Sequence, residues 1–217
     1  MSLSLKQKYG DLALVTGASS GIGEQFARLL AAQGFNLIIT ARNEERLRAI
    51  AEDLVAKYAV KIDVQVCDLS NVLSVDELIA NVKPRDLGLI ISNAGFGTLK
   101  AAFIQHKQLD VEAMYQTNSL SPSKLAHALL PQMAAKKRGG IIFTGSIEGD
   151  SPFPYSAPYA ASKAFLHSLV GALWYELKAD DVDVLLLAPG STDTQAPIKQ
   201  GISRDQLVGI MQPQQVA

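Results

Sequence analysis

Tyr159 and Lys163 stand four residues apart in Tyr-Ala-Ala-Ser-Lys, the only Tyr-x-x-x-Lys in the 217-residue chain. On a helix that spacing puts both side chains on one face. There an ammonium stabilises a phenolate and draws a proton donor of reference pKa about 10 toward working pH. Ser146 lies 13 residues before Tyr159, just past an apolar run of strand length. Beside an acidified tyrosine its hydroxyl is suited to hydrogen-bond a substrate carbonyl oxygen as charge builds there; the plainer alternative is a strand-end serine capping the next turn. The surrounding Thr144-Gly145-Ser146-Ile147-Glu148 lacks the glycines two before and two after that a nucleophile elbow requires, which disfavours a serine hydrolase.

A second constellation lies near the start of the chain. Thr16-Gly17-Ala18-Ser19-Ser20-Gly21-Ile22-Gly23 joins an apolar strand to a helix. Its three glycines permit a tight turn, close approach of backbone to a pyrophosphate and close helix–strand packing, and the helix N-terminus offers free N–H groups. A phosphate-bearing ligand is implied. No Lys-Ser/Thr follows the last glycine, so the turn is not a Walker P-loop. Arg42 ends the second strand, 19 residues beyond Gly23, where an acidic residue would accept a ribose 2′-OH. With no Asp or Glu from Asn36 to Asn43, Arg42 points to the 2′-phosphate of NADP, and so to NADPH over NADH; its alternative is a solvated arginine paired with Glu44 or Glu45.

Two shorter motifs follow the next strands. In Asp68-Leu69-Ser70, Asp68 is placed either to accept from an adenine amino group or to cap a helix. In Asn93-Ala94-Gly95, Asn93 reads as a stabiliser of its own turn and Gly95 as a point where backbone passes close to a sugar.

The elements that must position these residues alternate along the chain. Strand-length apolar runs cover Leu12 to Thr16, Asn36 to Ala41, Lys61 to Cys67, Leu87 to Ser92, Gly140 to Thr144 and Val182 to Ala188. Helical patterns fall near Gly21 to Gln33, Glu44 to Lys57, Val75 to Val82, Val111 to Lys137 and Ala157 to Ala179. Apolar strands alternating with helices predict an α/β fold: a doubly wound, Rossmann-like parallel sheet with helices on both faces. Residues 1–217 read as one domain. Ligands of such sheets sit at the C-terminal ends of the strands, where every motif above falls. In the fifth helix Leu166, Leu169, Val170, Leu173, Trp174 and Leu177 form an apolar stripe for the core or a second subunit.

Composition narrows the partners. Hydrophobic residues make up 48% and charged residues 19%, and the net charge is −1, so no overall field draws the chain to nucleic acid or an anionic membrane. No apolar run approaches the roughly 18 residues of a membrane span, and the first residues lack a secretory pattern. The lone Cys67 suits a reducing compartment, which makes the cytoplasm the expectation. His106, His127 and His167 have no metal-ligand spacing, so no metal is expected.

Taken together, from Leu12 to about Thr194, the glycine turn, Asn93 to Gly95, Asn118, Ser146, Tyr159/Lys163 and Pro189-Gly190 resemble the short-chain dehydrogenase/reductase family. The resemblance implies strand order 3-2-1-4-5-6-7 and NAD(P)-dependent hydride transfer at a carbonyl or alcohol carbon. It also implies a tetrad in which Tyr159 is the acid/base and Ser146 orients the substrate oxygen. Lys163 would bind the nicotinamide ribose and lower the tyrosine pKa, and Asn118 would hold a water linking Lys163 to solvent. It extends the cofactor set to Ser19, Ser20, Ile22, Leu69, Ala94, Pro189, Gly190 and Thr192, with Thr194 at the nicotinamide carboxamide. A homodimer through the long helices is implied as well. Only 29 residues follow Ala188, so the seventh strand is expected to be missing, with a substrate lid at about 190–212 and Gln212 to Ala217 opening a helix. Phe96 and the Gly149–Tyr155 loop suggest a partly apolar substrate. A dinucleotide-binding regulatory or scaffold protein without catalysis is the alternative; a methyltransferase is disfavoured because it has no use for the Tyr/Lys pair.

Overall fold

The structure, a computed structural model, describes residues 4–195, 198, 200–203 and 209–217. Strands β1 (Leu12–Thr16), β2 (Asn36–Ala41), β3 (Ile62–Val66), β4 (Leu89–Ser92), β5 (Gly139–Thr144) and β6 (Val182–Leu187) form one parallel sheet in the order β3-β2-β1-β4-β5-β6. The order reverses between β1 and β4, which opens a crevice beyond their C-terminal ends. Among the described residues there are six strands, and β6 is the edge beside β5, with Val184 buried and Leu185 53% exposed.

The strands alternate their side chains between two apolar layers. Ala13 and Val15 of β1 face one cluster with helices α2 (Gly21–Ala32) and α3 (Glu44–Tyr58), where Phe26, Leu30 and Leu47 are buried, following the short α1 (Leu5–Tyr9). Leu14 faces the other cluster, built from α4 (Val72–Val82), α6 (Ser121–Lys136) and α7 (Ala157–Glu176), which follow α5 (Gln108–Tyr115) in part. The chain closes on α8 (Pro213–Val216), which starts with proline as expected and brings Ala217 against the first cluster.

Three expectations change. The fourth helix begins at Val72 rather than Val75, because the Asn71 side chain accepts from the Leu73 and Ser74 N–H groups and caps it there. The long helix expected over 111–137 is divided by a π-helical turn, Gln116–Leu120, between α5 and α6. In the apolar stripe of α7, Leu166 and Val170 are buried, whereas Trp174 is 45% exposed and stacks edge-on against Tyr175. Of the segment proposed as a lid, residues 196, 197, 199 and 204–208 lie outside the described residues.

Phe143, fully buried in β5, packs in the cluster that supports α6 and α7. Phe143→Ala is expected to lower the unfolding free energy by about 3–5 kcal/mol, read from urea denaturation.

Candidate active site

At the crevice the strand ends are tied to one another by side chains. Thr16 Oγ1, ending β1, accepts from the backbone N–H groups of Asn93 (2.9 Å) and Ala94 (3.0 Å). Asn93 Nδ2 donates back to the Thr16 carbonyl (3.2 Å), and its Oδ1 accepts from Thr144 Oγ1 at the end of β5 (3.3 Å). Asn93 therefore ties three strands together rather than stabilising its own turn. A cleft of about 680 Å³ opens above these ends and takes in the glycine turn, Arg42, Asp68, Ser146, Tyr159, Lys163, Pro189, Gly190, Thr192 and Thr194.

One half of the cleft is built for an anion. Ser20 is the N-cap of α2, yet its side chain makes no cap hydrogen bond, leaving first-turn N–H groups directed at the cleft. Gly23 has no room for a side chain: a Cβ there would lie 2.3 Å from the Gly17 carbonyl oxygen and 2.5 Å from Asn93 Nδ2. Ser19, Gly21 and Ile22 line the same turn, and the Thr194 methyl lies over Gly21. Arg42 is exposed at the rim, and Glu44, one of its candidate partners, is engaged by Arg48 instead (2.6 Å). A second cation was not foreseen from sequence: Arg46 lines the cleft, donates from Nε to the Ser19 carbonyl (2.9 Å) and lies 3.5 Å from Glu24. Its signal was its place in the first turn of α3, four residues after Arg42.

Asp68 faces this half too, beside the buried Leu69. Burial pushes its carboxyl up, but the backbone and side-chain hydrogen bonds from Ser70 outweigh that, and with the Arg42 charge they hold it below the usual value. Asn71 caps α4, so capping is not the task of Asp68.

The other half holds the predicted tetrad. Lys163 is buried, its Nζ donating to the Thr144 carbonyl (2.8 Å) and standing 5.8 Å from the Tyr159 ring centre. Gly95 makes way for it: a Cβ there would sit 3.3 Å from Lys163 Nζ and 3.1 Å from Asn118 Oδ1. Asn118 lies in the π turn, fully buried, its Oδ1 accepting from the Phe96 N–H (3.0 Å) and its Nδ2 donating to the Phe96 carbonyl (2.8 Å) and Ser162 Oγ (3.0 Å). Its side chain clamps the loop after β4. Ser146 is buried and sits in the cleft with Tyr159, and its Oγ accepts from the Glu148 N–H (3.2 Å), so it caps the next turn.

The electrostatics depart from the simple expectation of an acidified phenol. Burial pushes Tyr159 up to about 12, against the Ser146 hydrogen bond, with the Glu148 charge adding to the rise. Burial also pushes Lys163 down to about 8. The low dielectric around both groups favours their neutral forms.

The sequence profile of a family described as short chain dehydrogenase matches residues 11–205. The human Inactive hydroxysteroid dehydrogenase-like protein 1 is 34% identical over 187 residues, 85% of this chain and 57% of that protein. The Very-long-chain 3-oxoacyl-CoA reductase of Podospora anserina is 35% identical over 181 residues, 82% of this chain and 53% of that protein. The chain spans little more than half the length of these curated relatives. A solved short-chain dehydrogenase from Sphingobium yanoikuyae in complex with NADPH is similar with a TM-score of 0.91 at 28% identity, covering 95% of this chain and 80% of that one.

Lys163 binds fewer protons folded, at about 8, than unfolded, at 10.5, so stability rises with pH across that window. Unfolding free energies measured at pH 8 and pH 10 should show that rise in the wild type, and Lys163→Met should remove the part that the lysine contributes.

Proposed function

For a chain that belongs to the short-chain dehydrogenase family, we propose an NADP-dependent oxidoreductase acting at a carbonyl or alcohol carbon of a partly apolar small molecule. The observation that carries this reading is the convergence of Ser146, Tyr159 and Lys163 in the same cleft as the glycine turn and Arg42. The anion half fits a dinucleotide. Gly23 lets α2 pack close on the glycine turn, first-turn N–H groups of α2 face the cleft where a pyrophosphate would sit, and Arg42 and Arg46 supply positive charge for a 2′-phosphate. Asp68 and Leu69 would flank the adenine, Asn93 to Gly95 a ribose, Lys163 the nicotinamide ribose, and Pro189, Gly190, Thr192 and Thr194 the carboxamide.

When bound, the nicotinamide supplies or accepts the hydride. The remaining work belongs to the chain. Ser146 holds the substrate oxygen by hydrogen bond while Tyr159 gives it a proton. Burial keeps the phenol in its protonated form, the form that can give a proton to a substrate oxygen. Lys163, shifted toward neutrality, is placed to return a proton to the phenol side of the cleft. Phe96, Ile147 and Phe153 line the substrate half and favour an apolar group there; Tyr155 of the same loop is not part of the lining. Among the described residues no helix is long and apolar enough to cross a membrane. The proposed setting is the cytoplasm and the proposed state a homodimer, supported by the exposed Phe165 and Tyr175 of α7. A second reading, dinucleotide binding without turnover, is favoured by one observation, the word "Inactive" in the human relative's name.

Tyr159→Phe is expected to lower NADPH oxidation across a carbonyl panel by about 100- to 10,000-fold while leaving NADPH binding intact. Undiminished turnover would remove Tyr159 from the mechanism, and no turnover by the wild type on any panel member would favour the second reading. In thermal shift, NADPH should raise the melting temperature more than NADH does, and Arg42→Ala should erase the difference.

A further inference from the structure

Behind the substrate half lies a polar cluster that the tetrad does not use. Lys100, in the loop after β4, donates from Nζ to Glu148 Oε1 (3.1 Å), Glu148 Oε2 (3.3 Å) and Ser156 Oγ (2.7 Å). The Ser156 hydroxyl donates in turn to Glu148 Oε2. The Glu148 side chain is 15% exposed and that of Lys100 25%. Glu148 lines the cleft; Lys100 and Ser156 stand behind it, off the lining.

The local backbone is committed to this arrangement. Ser156 is the N-cap of α7, but its hydroxyl makes no cap hydrogen bond, because it is engaged with Glu148 and Lys100. That forgoes the helix stabilisation a side-chain cap would give. Tyr155 before it has φ 63, a left-handed conformation unfavourable for a non-glycine residue, and its carbonyl accepts from the Ala101 N–H (3.2 Å). The Lys100 N–H donates to the Gln200 carbonyl (3.1 Å). Three chain segments therefore meet at Lys100.

The groups that face Tyr159 are few. Ser146 favours its ionisation, Lys163 stands over its ring from the same helix, and Glu148 opposes its ionisation through space. One turn past Lys163, His167 packs on Gly145 and Gly149 and pairs with Asp150 (2.8 Å). A half-buried carboxylate stripped of its cation would act on the phenol more strongly, since little water screens it.

We propose that Lys100 is a positioning residue, acting through Glu148: it holds the Glu148–Ser156 segment against the cleft and offsets the carboxylate's charge at Tyr159. This rests on the reading of Tyr159 as proton donor. The test does not need turnover. A fluorinated tyrosine at position 159 alone, intrinsically more acidic than tyrosine, is titrated by absorbance in the full chain. Lys100→Met should move its midpoint up, and Glu148→Gln should move it down, each by about half a pH unit. Lys100→Arg should stay near the parent, and Lys100→Met placed on Glu148→Gln should add nothing.

A midpoint unmoved by the near-isosteric Glu148→Gln overturns the proposal, even if Lys100→Met does not fold. A rise with Lys100→Met that persists in the Glu148→Gln background overturns it too, because Lys100 would then act directly. Shifts as expected in a protein that turns over no carbonyl would support the Lys100 assignment while removing the catalytic reading on which it was framed.

Discussion

A lysine amine buried beside a phenol is the constraint that organises this molecule. Lys163 Nζ has been taken out of water and given the Thr144 carbonyl as acceptor, so β5 must end where α7 presents its second turn. The loop after β4 must then pass without a side chain at Gly95, and Asn118 must fix that loop by gripping Phe96 on both backbone groups. Each of these is a local oddity. Together they are the conditions under which a cation-capable group can sit at the bottom of a cleft next to a buried phenol.

The sheet and the site share their scaffolding. Thr16, Asn93 and Thr144 join the ends of β1, β4 and β5, and Thr144 offers its hydroxyl to Asn93 and its carbonyl to Lys163. The anion-facing half of the cleft and the Tyr159–Lys163 half are thereby referenced to the same strand ends. This is a fold-level advantage of the switch point between β1 and β4.

Much of this was legible in the chain, because it depends on periodicity and on residues adjacent in sequence. The apolar runs located all six strands within a few residues, the glycine turn stood out by spacing, and Tyr159/Lys163 by helical phase. What was not legible depends on partners distant in sequence. The sharing of Asn93 among three strands, the turn of Arg46 back onto Ser19, and the meeting of Lys100 with Glu148 each join residues that no local pattern connects. The acidity of Tyr159 was misjudged for a related reason. A charge argument from spacing alone leaves out burial, and here burial is the larger effect on both partners. The family resemblance supplied Asn118, which a helical asparagine alone would not have disclosed.

The wide turn at Gln116–Leu120 carries one residue more than a regular helix would need there. That surplus residue resets the rotational phase between α5 and α6 by about 100°. Excising any one residue of the turn would leave a smoother helix, but it would swing one of the two flanking faces away from the sheet. The length of this segment is therefore as fixed as its chemistry, and insertions or deletions acceptable in a surface loop have no equivalent here.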